Sequence, residues 1–222
     1  MIVAIDGPAA SGKSTVAKAV ARKLGFRYLD TGAMYRAAAA LATARGIDLA
    51  DEDALIAMVN REAVTFTYAD GDPVQTGVMI AGLDVTVTIR TPLVDAAVSR
   101  VARVPGVRAA MVEQQRRLAG DGDAVVEGRD IGSVVFPDAA LKVYLTASAE
   151  ERARRRHYEL EDAGHAVGSH SVREGLERRD AADSQREASP LTVAEDAQIV
   201  DTTGLSIGEV VARIVDLVET AR

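Results

Sequence analysis

The segment Gly7–Ser14 has the residue types and spacing of a phosphate-binding loop. It reads Gly-Pro-Ala-Ala-Ser-Gly-Lys-Ser and so fits the pattern G-x-x-x-x-G-K-[ST]. Glycines at both ends of the pattern allow a tight loop whose backbone N–H groups turn inward around phosphate oxygens. Lys13 can reach the β- and γ-phosphates of a nucleotide, and the Ser14 hydroxyl can ligate Mg²⁺. We therefore predict an ATP site with Mg²⁺ as cofactor, formed by Gly7, Pro8, Ala9, Ala10, Ser11, Gly12, Lys13, Ser14 and Thr15.

Two polar segments that follow apolar runs are candidates for the site of the phosphate acceptor. Thr31 and Arg36 lie beyond one run, and ligands of open α/β sheets bind at the carboxyl ends of strands. A surface role for Arg36 accounts for the sequence equally well. Arg129 and Asp130 stand in a glycine-flanked turn beyond another run, where stability does not require stacked charges. A plain solvated turn is the alternative interpretation of this second segment.

A third group of candidates lies on two arginine-rich helical stretches. Charged side chains recur there at helical spacing, namely Arg152, Arg155 and Arg156 on the first stretch and Arg179, Asp183 and Arg186 on the second. The stretches flank Gly164–His170, whose small and polar residues suit a flap that closes over substrates. We predict that the set clamps phosphates, with Arg156 on ATP. The alternative is a pair of solvated helices whose arginines are balanced by neighbouring glutamates.

The elements that must position these residues alternate between strands and helices. Short apolar runs predict five strands, at Ile2–Ile5, Phe26–Leu29, Ala124–Val126, Leu141–Leu145 and Ile199–Val200. Helical patterns follow at Lys13–Leu24, Thr31–Ala44 and Ser206–Glu219. This alternation predicts an α/β fold with a five-stranded parallel sheet and helices on both faces.

One region interrupts the alternation with short strand-like segments. They are Val64–Tyr68, Val78–Ile80 and Val85–Val87, separated by turn formers at Asp70–Pro73 and Gly82. We predict a small inserted antiparallel β subdomain at about residues 61–105, with helical pattern resuming at Pro92. We expect the chain, 1–222, to be a single phosphate-loop chain with its core at 1–60 and 106–222 and a helical lid at about 155–184.

Composition excludes several classes of protein. The 222 residues include no cysteine and three histidines, which excludes disulfide scaffolds and cysteine nucleophiles and disfavours a multi-histidine metal site. The formal net charge of −7 argues against nucleic acid as a partner. No leader and no long apolar run is visible, so we expect a cytoplasmic protein without a membrane partner. The lack of coiled-coil heptads favours a monomer. Arginine far outnumbers lysine, for which we favour genomic composition bias as the explanation. The alternative, at individual positions, is that the arginine guanidinium binds phosphate and carboxylate in a way that lysine cannot.

The motifs favour a small kinase among the proteins that carry such a loop. The guanine-reading motif N-K-x-D of GTPases is missing, since no lysine follows an asparagine, and the chain is short for a motor. A nucleoside monophosphate offers an acceptor oxygen that is already ionised, so no general base is required. Catalysis then rests on positioning and charge neutralisation by Lys13, Mg²⁺ and arginines. The alternatives are a kinase of shikimate, gluconate or another monophosphate, and a nucleotide-dependent regulator without turnover.

The chain also resembles the bacterial-type cytidylate kinase family in stretches that follow in order along almost its whole length. These are Asp6–Thr15, Leu29–Arg36, Asp84 with Ile89–Pro92, Val126–Asp138, Arg179–Arg186 with Ser189–Leu191, and Asp201–Ile207. The resemblance implies transfer of the γ-phosphoryl group of ATP to CMP, and to dCMP, with ATP and the monophosphate as small-molecule partners. It also implies that the insert is the enlarged monophosphate-binding domain of this bacterial group.

Roles for individual residues follow from the same resemblance. It places Thr31, Arg36 and Arg129 on the monophosphate, Ser99, Arg108 and Asp130 on the cytosine, and Arg179, Asp183 and Arg186 on the sugar and phosphates. It assigns catalysis to Lys13, Arg129, Arg179 and Arg186. The chain departs from the family pattern at Ala181 and Ala182, where the family often carries more charge. It also departs at Val87 and Thr88, just before the Ile-Arg pair, where the family often carries an acid. Fewer phosphate contacts from the lid are therefore expected.

Overall fold

The computed structural model describes residues 1–162, 164 and 168–222. Two compact units make up the chain, of which the first comprises Met1 and Ala21–Val126 and the second Ile2–Val20 and Glu127–Arg222. The predicted flap at Gly164–His170 includes residues 165–167, which lie outside the described residues.

Helical segments separate the strands of the main sheet along the chain, as the apolar runs predict. The strands are β1 (Ile2–Asp6), β2 (Arg27–Asp30), β3 (Val64–Tyr68), β4 (Gln75–Ile80), β5 (Leu83–Asp84), β6 (Ala124–Glu127), β7 (Leu141–Thr146) and β8 (Gln198–Asp201). The helices are α1 (Lys13–Leu24), α2 (Thr31–Ala44), α3 (Glu52–Arg61), α4 (Pro92–Val101), α5 (Pro105–Ala119), α6 (Ala149–Asp162), α7 (Ser169–Ser184) and α8 (Ile207–Thr220). A short 3₁₀ turn spans Thr88–Arg90, and a π turn spans Ile131–Val135.

The main sheet has five strands in the order β2-β6-β1-β7-β8. In the second unit, β1 pairs in parallel with β7 from Val3 opposite Leu141, and β7 pairs in parallel with β8. Val3, Ala4 and Ile5 are fully buried, as expected of a strand covered on both faces. The predicted α/β fold with a five-stranded parallel sheet is confirmed, and each predicted strand lies within one residue of its observed bounds.

A second, antiparallel sheet lies in the first unit. Its strand order is β3-β4-β5, and β3 pairs with β4 from Val64 opposite Ile80. The predicted antiparallel sheet is therefore confirmed, but its third strand is Leu83–Asp84 rather than Val85–Val87. The Asp84 carboxylate accepts hydrogen bonds from the backbone N–H and the hydroxyl of Thr86 at 2.9 and 2.6 Å. This local turn draws the chain out of the strand early. The bounds of the inserted subdomain, at about 61–105, and of the lid, at about 155–184, stay predictions.

The helices begin where the sequence supplies the appropriate N-terminal residue. α4 starts at Pro92, whose fixed φ suits the first helical position. α2 starts after Asp30, whose carboxylate accepts a hydrogen bond from the Ala33 N–H at 2.9 Å. α8 follows Ser206, which forms a reciprocal capping box with Glu209. Among the helices within the described ranges, none combines the length and apolar character needed to cross a membrane.

Candidate active site

The predicted phosphate loop joins β1 to α1 in the second unit. Its first residue, Gly7, has φ +147°, and a Cβ there would lie 2.0 Å from the carbonyl oxygen of Leu145, so only glycine fits. Backbone carbonyl oxygens along the loop accept hydrogen bonds from three arginines. The oxygen of Gly7 accepts from Arg129, that of Ala9 from Arg152, and that of Ser11 from Arg155. These bonds hold the carbonyls of the loop, and the loop ends at the N-terminus of α1, where the helix dipole favours an anion.

Lys13, the lysine of the motif, is buried within this loop. Its Nζ donates to the carbonyl oxygen of Pro8 at 2.6 Å and lies 3.4 Å from the Ser11 hydroxyl. Burial lowers the pKa of Lys13 well below its ordinary value, and the positive charge of Arg129 lowers it further. A polyphosphate beside Lys13 would supply compensating negative charge and raise that pKa. The electrostatics of the site therefore favour an anionic ligand.

Ser14, the predicted magnesium ligand, lies beside an acidic residue at the end of β6. The Ser14 hydroxyl donates to Oε2 of Glu127 at 3.0 Å, and Glu127 is 3% exposed. A hydroxyl and a carboxylate are the hard oxygen ligands that Mg²⁺ takes, and Mg²⁺ in nucleotide sites needs few protein ligands because phosphates and water supply the rest. These residues therefore fit Mg²⁺. No cluster of three or more His, Cys, Asp or Glu ligands occurs among the residues described. Glu127 is a site residue that the motif search missed.

Arg129 lies at the centre of a second set of charges in this unit. Its Nε lies 2.9 Å from Oδ2 of Asp183, and the other carboxylate oxygen of Asp183 is 3.7 Å from Arg186. Arg186 also donates through Nε to the backbone carbonyl of Asp183 at 3.3 Å. The structure thus brings together three of the predicted acceptor-site residues. Arg179 is half-buried on α7 and its charge acts on Lys13.

The three arginines of α6 that we predict to clamp phosphates have different surroundings. Arg152 forms an ion pair with Asp180 and Arg155 donates to the Thr202 hydroxyl at 2.9 Å, in addition to their bonds with the loop. Arg156, the residue that we assign to ATP, forms an ion pair with Glu159 at 3.2 Å. Arg152 and Arg155 contact the loop, and the assignment of Arg156 to ATP stays a prediction.

Asp130 follows Arg129 and is buried, with 5% of its surface exposed. The next two residues, Ile131 and Gly132, donate their backbone N–H groups to the carboxylate of Asp6 at 2.8 and 2.7 Å. They open the π turn, an irregular helix that is often found at functional sites. The turn that carries Arg129 and Asp130 is therefore held in place and is no plain solvated turn.

The remaining predicted residues lie in the first unit, on α2, α4 and α5. Thr31 is buried at the start of α2. Arg36 donates to the carbonyl oxygen of Ile89 at 2.9 Å and pairs with Asp95 at 2.6 Å, so its side chain is held rather than free on the surface. Ser99 is half-buried on α4.

Arg108, predicted to bind cytosine, is 3% exposed on α5. It donates to the carbonyl oxygen of Ala102 at 3.3 Å, and its guanidinium lies 5.3 Å from the centre of the Tyr35 ring. A cation over an aromatic face is attracted by the ring quadrupole. Tyr35 is a second residue that the residue-by-residue prediction missed, although it stands beside Arg36 in the same sequence stretch.

Comparison with known proteins shows the family to which this sequence belongs. A sequence model of the family described as cytidylate kinase matches residues 3–220. The chain is 49% identical over 221 residues to a cytidylate kinase of Pelotomaculum thermopropionicum, covering 99% of this chain and 96% of that one. It is 50% identical over 215 residues to a cytidylate kinase of Desulfitobacterium hafniense, covering 97% and 91%. A solved structure of an uncharacterized protein from Eubacterium ventriosum shares the fold, with a TM-score of 0.53 at 11% identity over 99% of this chain and 98% of that one. With a match of this extent, the chain belongs to the cytidylate kinase family.

Proposed function

We propose that this protein is a kinase that transfers the γ-phosphoryl group of ATP to CMP, giving CDP and ADP, and that it accepts dCMP as well. The observation that carries the proposal is a complete phosphate loop with a buried lysine in a chain of the cytidylate kinase family. The loop supplies the donor site. The turn at Arg129 and Asp130, together with the arginines of the second unit, supplies charge for the acceptor site.

The donor half of the reaction rests on the loop. Backbone N–H groups of the loop and Lys13 bind the phosphates of ATP, and Lys13 neutralises charge on the β- and γ-phosphates. Ser14 and Glu127 would hold Mg²⁺, which when bound supplies further charge neutralisation to the phosphates. Arg155, tied to Ser11 and Thr202, fixes the outer side of the loop.

The transfer half rests on arginines. Arg129, Arg179 and Arg186 stabilise the charge that spreads over the oxygens of the transferred group, and Asp183 orients two of them. The attacking oxygen belongs to a monophosphate that is ionised at neutral pH, so no side chain has to remove a proton. The absence of a histidine from the described contacts of these residues is consistent with this chemistry.

We assign recognition of the acceptor to the residues that the family resemblance implies. Among them, Thr31, Arg36 and Arg129 are assigned to the monophosphate. Cytosine presents an amine donor and an unprotonated N3, so it needs one acceptor and one donor from the protein. Asp130 offers the hydrogen-bond acceptor and Arg108 the hydrogen-bond donor, while the Ser99 hydroxyl can act as either.

A coupled assay of ADP release with ATP and a panel of acceptors tests the proposal. The panel is CMP, dCMP, UMP, AMP, GMP and shikimate, and a folded Lys13→Ala protein serves as the inactive control. CMP is expected to give the highest kcat/KM, with dCMP next. A higher kcat/KM with shikimate or AMP than with CMP would show that CMP is not the preferred acceptor. ATP binding without release of ADP, whichever acceptor is present, would indicate a regulator.

We also propose that the protein works as a monomer in the cytoplasm, without nucleic acid or membrane partners. The formal net charge of −7 supports the lack of a nucleic-acid partner, because phosphate backbones are bound by basic surfaces. Sedimentation at micromolar concentration tests the monomer, and a dimer mass would contradict it.

A further inference from the structure

The carboxylate of Asp6 is buried directly before the phosphate loop and has no part in the reaction described above. Asp6 is the last residue of β1, and 6% of its surface is exposed. Oδ1 accepts the N–H of Ile131 at 2.8 Å, and Oδ2 accepts the N–H of Gly132 at 2.7 Å. Each oxygen thus has its own backbone donor, on two consecutive residues.

These two donors belong to the segment that carries Arg129 and Asp130. The next residue after Asp6, Gly7, accepts a hydrogen bond from Arg129 through its carbonyl oxygen. Two adjacent residues at the start of the phosphate loop therefore make three hydrogen bonds to Arg129, Ile131 and Gly132. All of these residues lie in the second unit. The start of the ATP loop and the turn of the acceptor site are joined through Asp6 and Gly7.

A carboxylate is the side chain that this arrangement requires. Two parallel N–H donors need two acceptor oxygens, and ionised carboxylates form shorter and stronger hydrogen bonds than neutral groups do. An asparagine at position 6 would offer one acceptor oxygen and would place an NH₂ donor against the second backbone N–H. It would keep the shape of aspartate while breaking one of the two bonds.

We propose that Asp6 is a positioning residue for phosphoryl transfer, because its paired hydrogen bonds to Ile131 and Gly132 set the Arg129–Asp130 turn relative to the ATP loop. The proposal rests on the proposed function for the identity of the reaction. Its consequence is specific, since loosening the turn should slow transfer and weaken acceptor binding while leaving ATP binding intact. Displacement of a catalytic group by about 1 Å can cost roughly 100-fold in rate.

The electrostatics of Asp6 set the pH range in which its carboxylate is ionised. Burial raises its pKa to about 6, against the lowering effect of the Ile131 and Gly132 hydrogen bonds. Asp130 raises that pKa and Lys13 lowers it, and Tyr144 lies opposite Asp6 on β7. Protonation of Asp6 removes the cost of burying its charge and so stabilises the fold as a whole, but it weakens one of the two hydrogen bonds. The turn should therefore loosen locally as the pH falls below about 6.

The test compares Asp6→Asn with Asp51→Asn by steady-state kinetics. Asp51 is a matched control, because its carboxylate also accepts a backbone N–H, that of Ala54 at 3.0 Å, at the exposed start of α3. We expect Asp6→Asn to lower kcat by about 10- to 100-fold, to raise KM for CMP, and to leave the Kd of ATP within about threefold. Asp51→Asn should match the wild type. Active-site titration with ATP normalises the rates to folded protein, so that lost stability alone cannot lower kcat.

A kcat for folded Asp6→Asn that stays within fivefold of the wild type would overturn the proposal, as would an equal loss of ATP affinity. Where Asp6→Asn does not fold, Asp6→Glu takes its place, because it keeps both acceptor oxygens and lengthens the arm by one methylene. The same fivefold limit on kcat then applies. Each variant is assayed with whichever acceptor the wild type uses best. A wrong assignment of CMP as acceptor therefore leaves the test of Asp6 unaffected.

Discussion

Replacement of Asp183 by asparagine tests whether the Arg129–Asp183 pair orients an arginine for catalysis. Oδ2 of Asp183 lies 2.9 Å from Nε of Arg129, and the two side chains are 15% and 19% exposed. Asparagine keeps the size of the side chain but removes the charge and one acceptor oxygen. A hydrogen bond to a charged group contributes about 1.5–3 kcal/mol. If the whole contribution serves the transition state, Asp183→Asn lowers kcat by about 10- to 150-fold.

The assay is the coupled measurement of ADP release at saturating ATP and CMP, with Glu177→Gln as the matched control. Glu177 pairs with Arg173 on the same helix, α7, also at 2.9 Å, but both side chains are more than half exposed. Exposed pairs contribute little, so Glu177→Gln should stay within about twofold of the wild type.

A double-mutant cycle with Arg129→Ala gives the decisive comparison. If Asp183 acts through Arg129, removing Asp183 after Arg129 is already gone should lower kcat much less than removing it from the wild type. Equal losses in both backgrounds, or equal losses in Asp183→Asn and Glu177→Gln, would refute the reasoning.

Four further outcomes are expected. Lys13→Ala should lower kcat by at least about 100-fold in folded protein, and near-normal turnover would remove the ATP assignment of the loop. Glu127→Gln should raise the Mg²⁺ concentration needed for half-maximal rate by about tenfold, which titration of the rate with MgCl₂ measures; an unchanged midpoint would contradict its place at the metal. The folded-state pKa of Asp6 is raised from 3.8 to about 6, so Asp6 adds stability that is fully present below about pH 4 and is lost as the pH rises through about 6. Urea unfolding at pH 5 and 7 should show this loss in the wild type and not in Asp6→Asn. Asp130→Ala should narrow the ratio of kcat/KM for CMP to that for UMP by about tenfold or more, whereas rates that fall together would make Asp130 a structural residue.

Local physical chemistry made most of the fold and the conformation of the phosphate loop predictable from sequence. Four apolar residues, Ile2–Ile5, begin the strand that ends at Asp6, and the loop after it needs glycine at position 7, where a Cβ would meet the carbonyl oxygen of Leu145. Start signals such as Ser206 for α8 act within one helical turn. The sequence pattern of these features reports directly on the backbone they adopt.

Contacts between residues far apart in the sequence could not be predicted from such local patterns. Asp6 and Ile131 are 125 positions apart, and nothing in the spacing of either segment indicates that they bond. The same holds for Glu127, which is one acidic residue among many until the fold places it beside Ser14. The prediction of a strand at Val85–Val87 was wrong for a different reason. The hydrogen bond between the Asp84 carboxylate and Thr86 stabilises a turn there, and this outweighs the strand propensity of the two valines.

The arginines around the phosphate loop show why residue type matters there beyond composition bias. A loop that turns its N–H groups toward phosphate must find other partners for its carbonyls, because buried backbone groups are rarely left unpaired. Arg155 donates to Ser11, binds the hydroxyl and carbonyl of Thr202 and pairs through Nε with Glu151, so one planar guanidinium serves three residues. A lysine ammonium has three donors on one atom and could not span partners on separate segments in this way. Arg129 does the same for Gly7 and Asp183. At these two positions the excess of arginine over lysine therefore has a structural cause, since the guanidinium that holds the loop also ties it to a second element of the site.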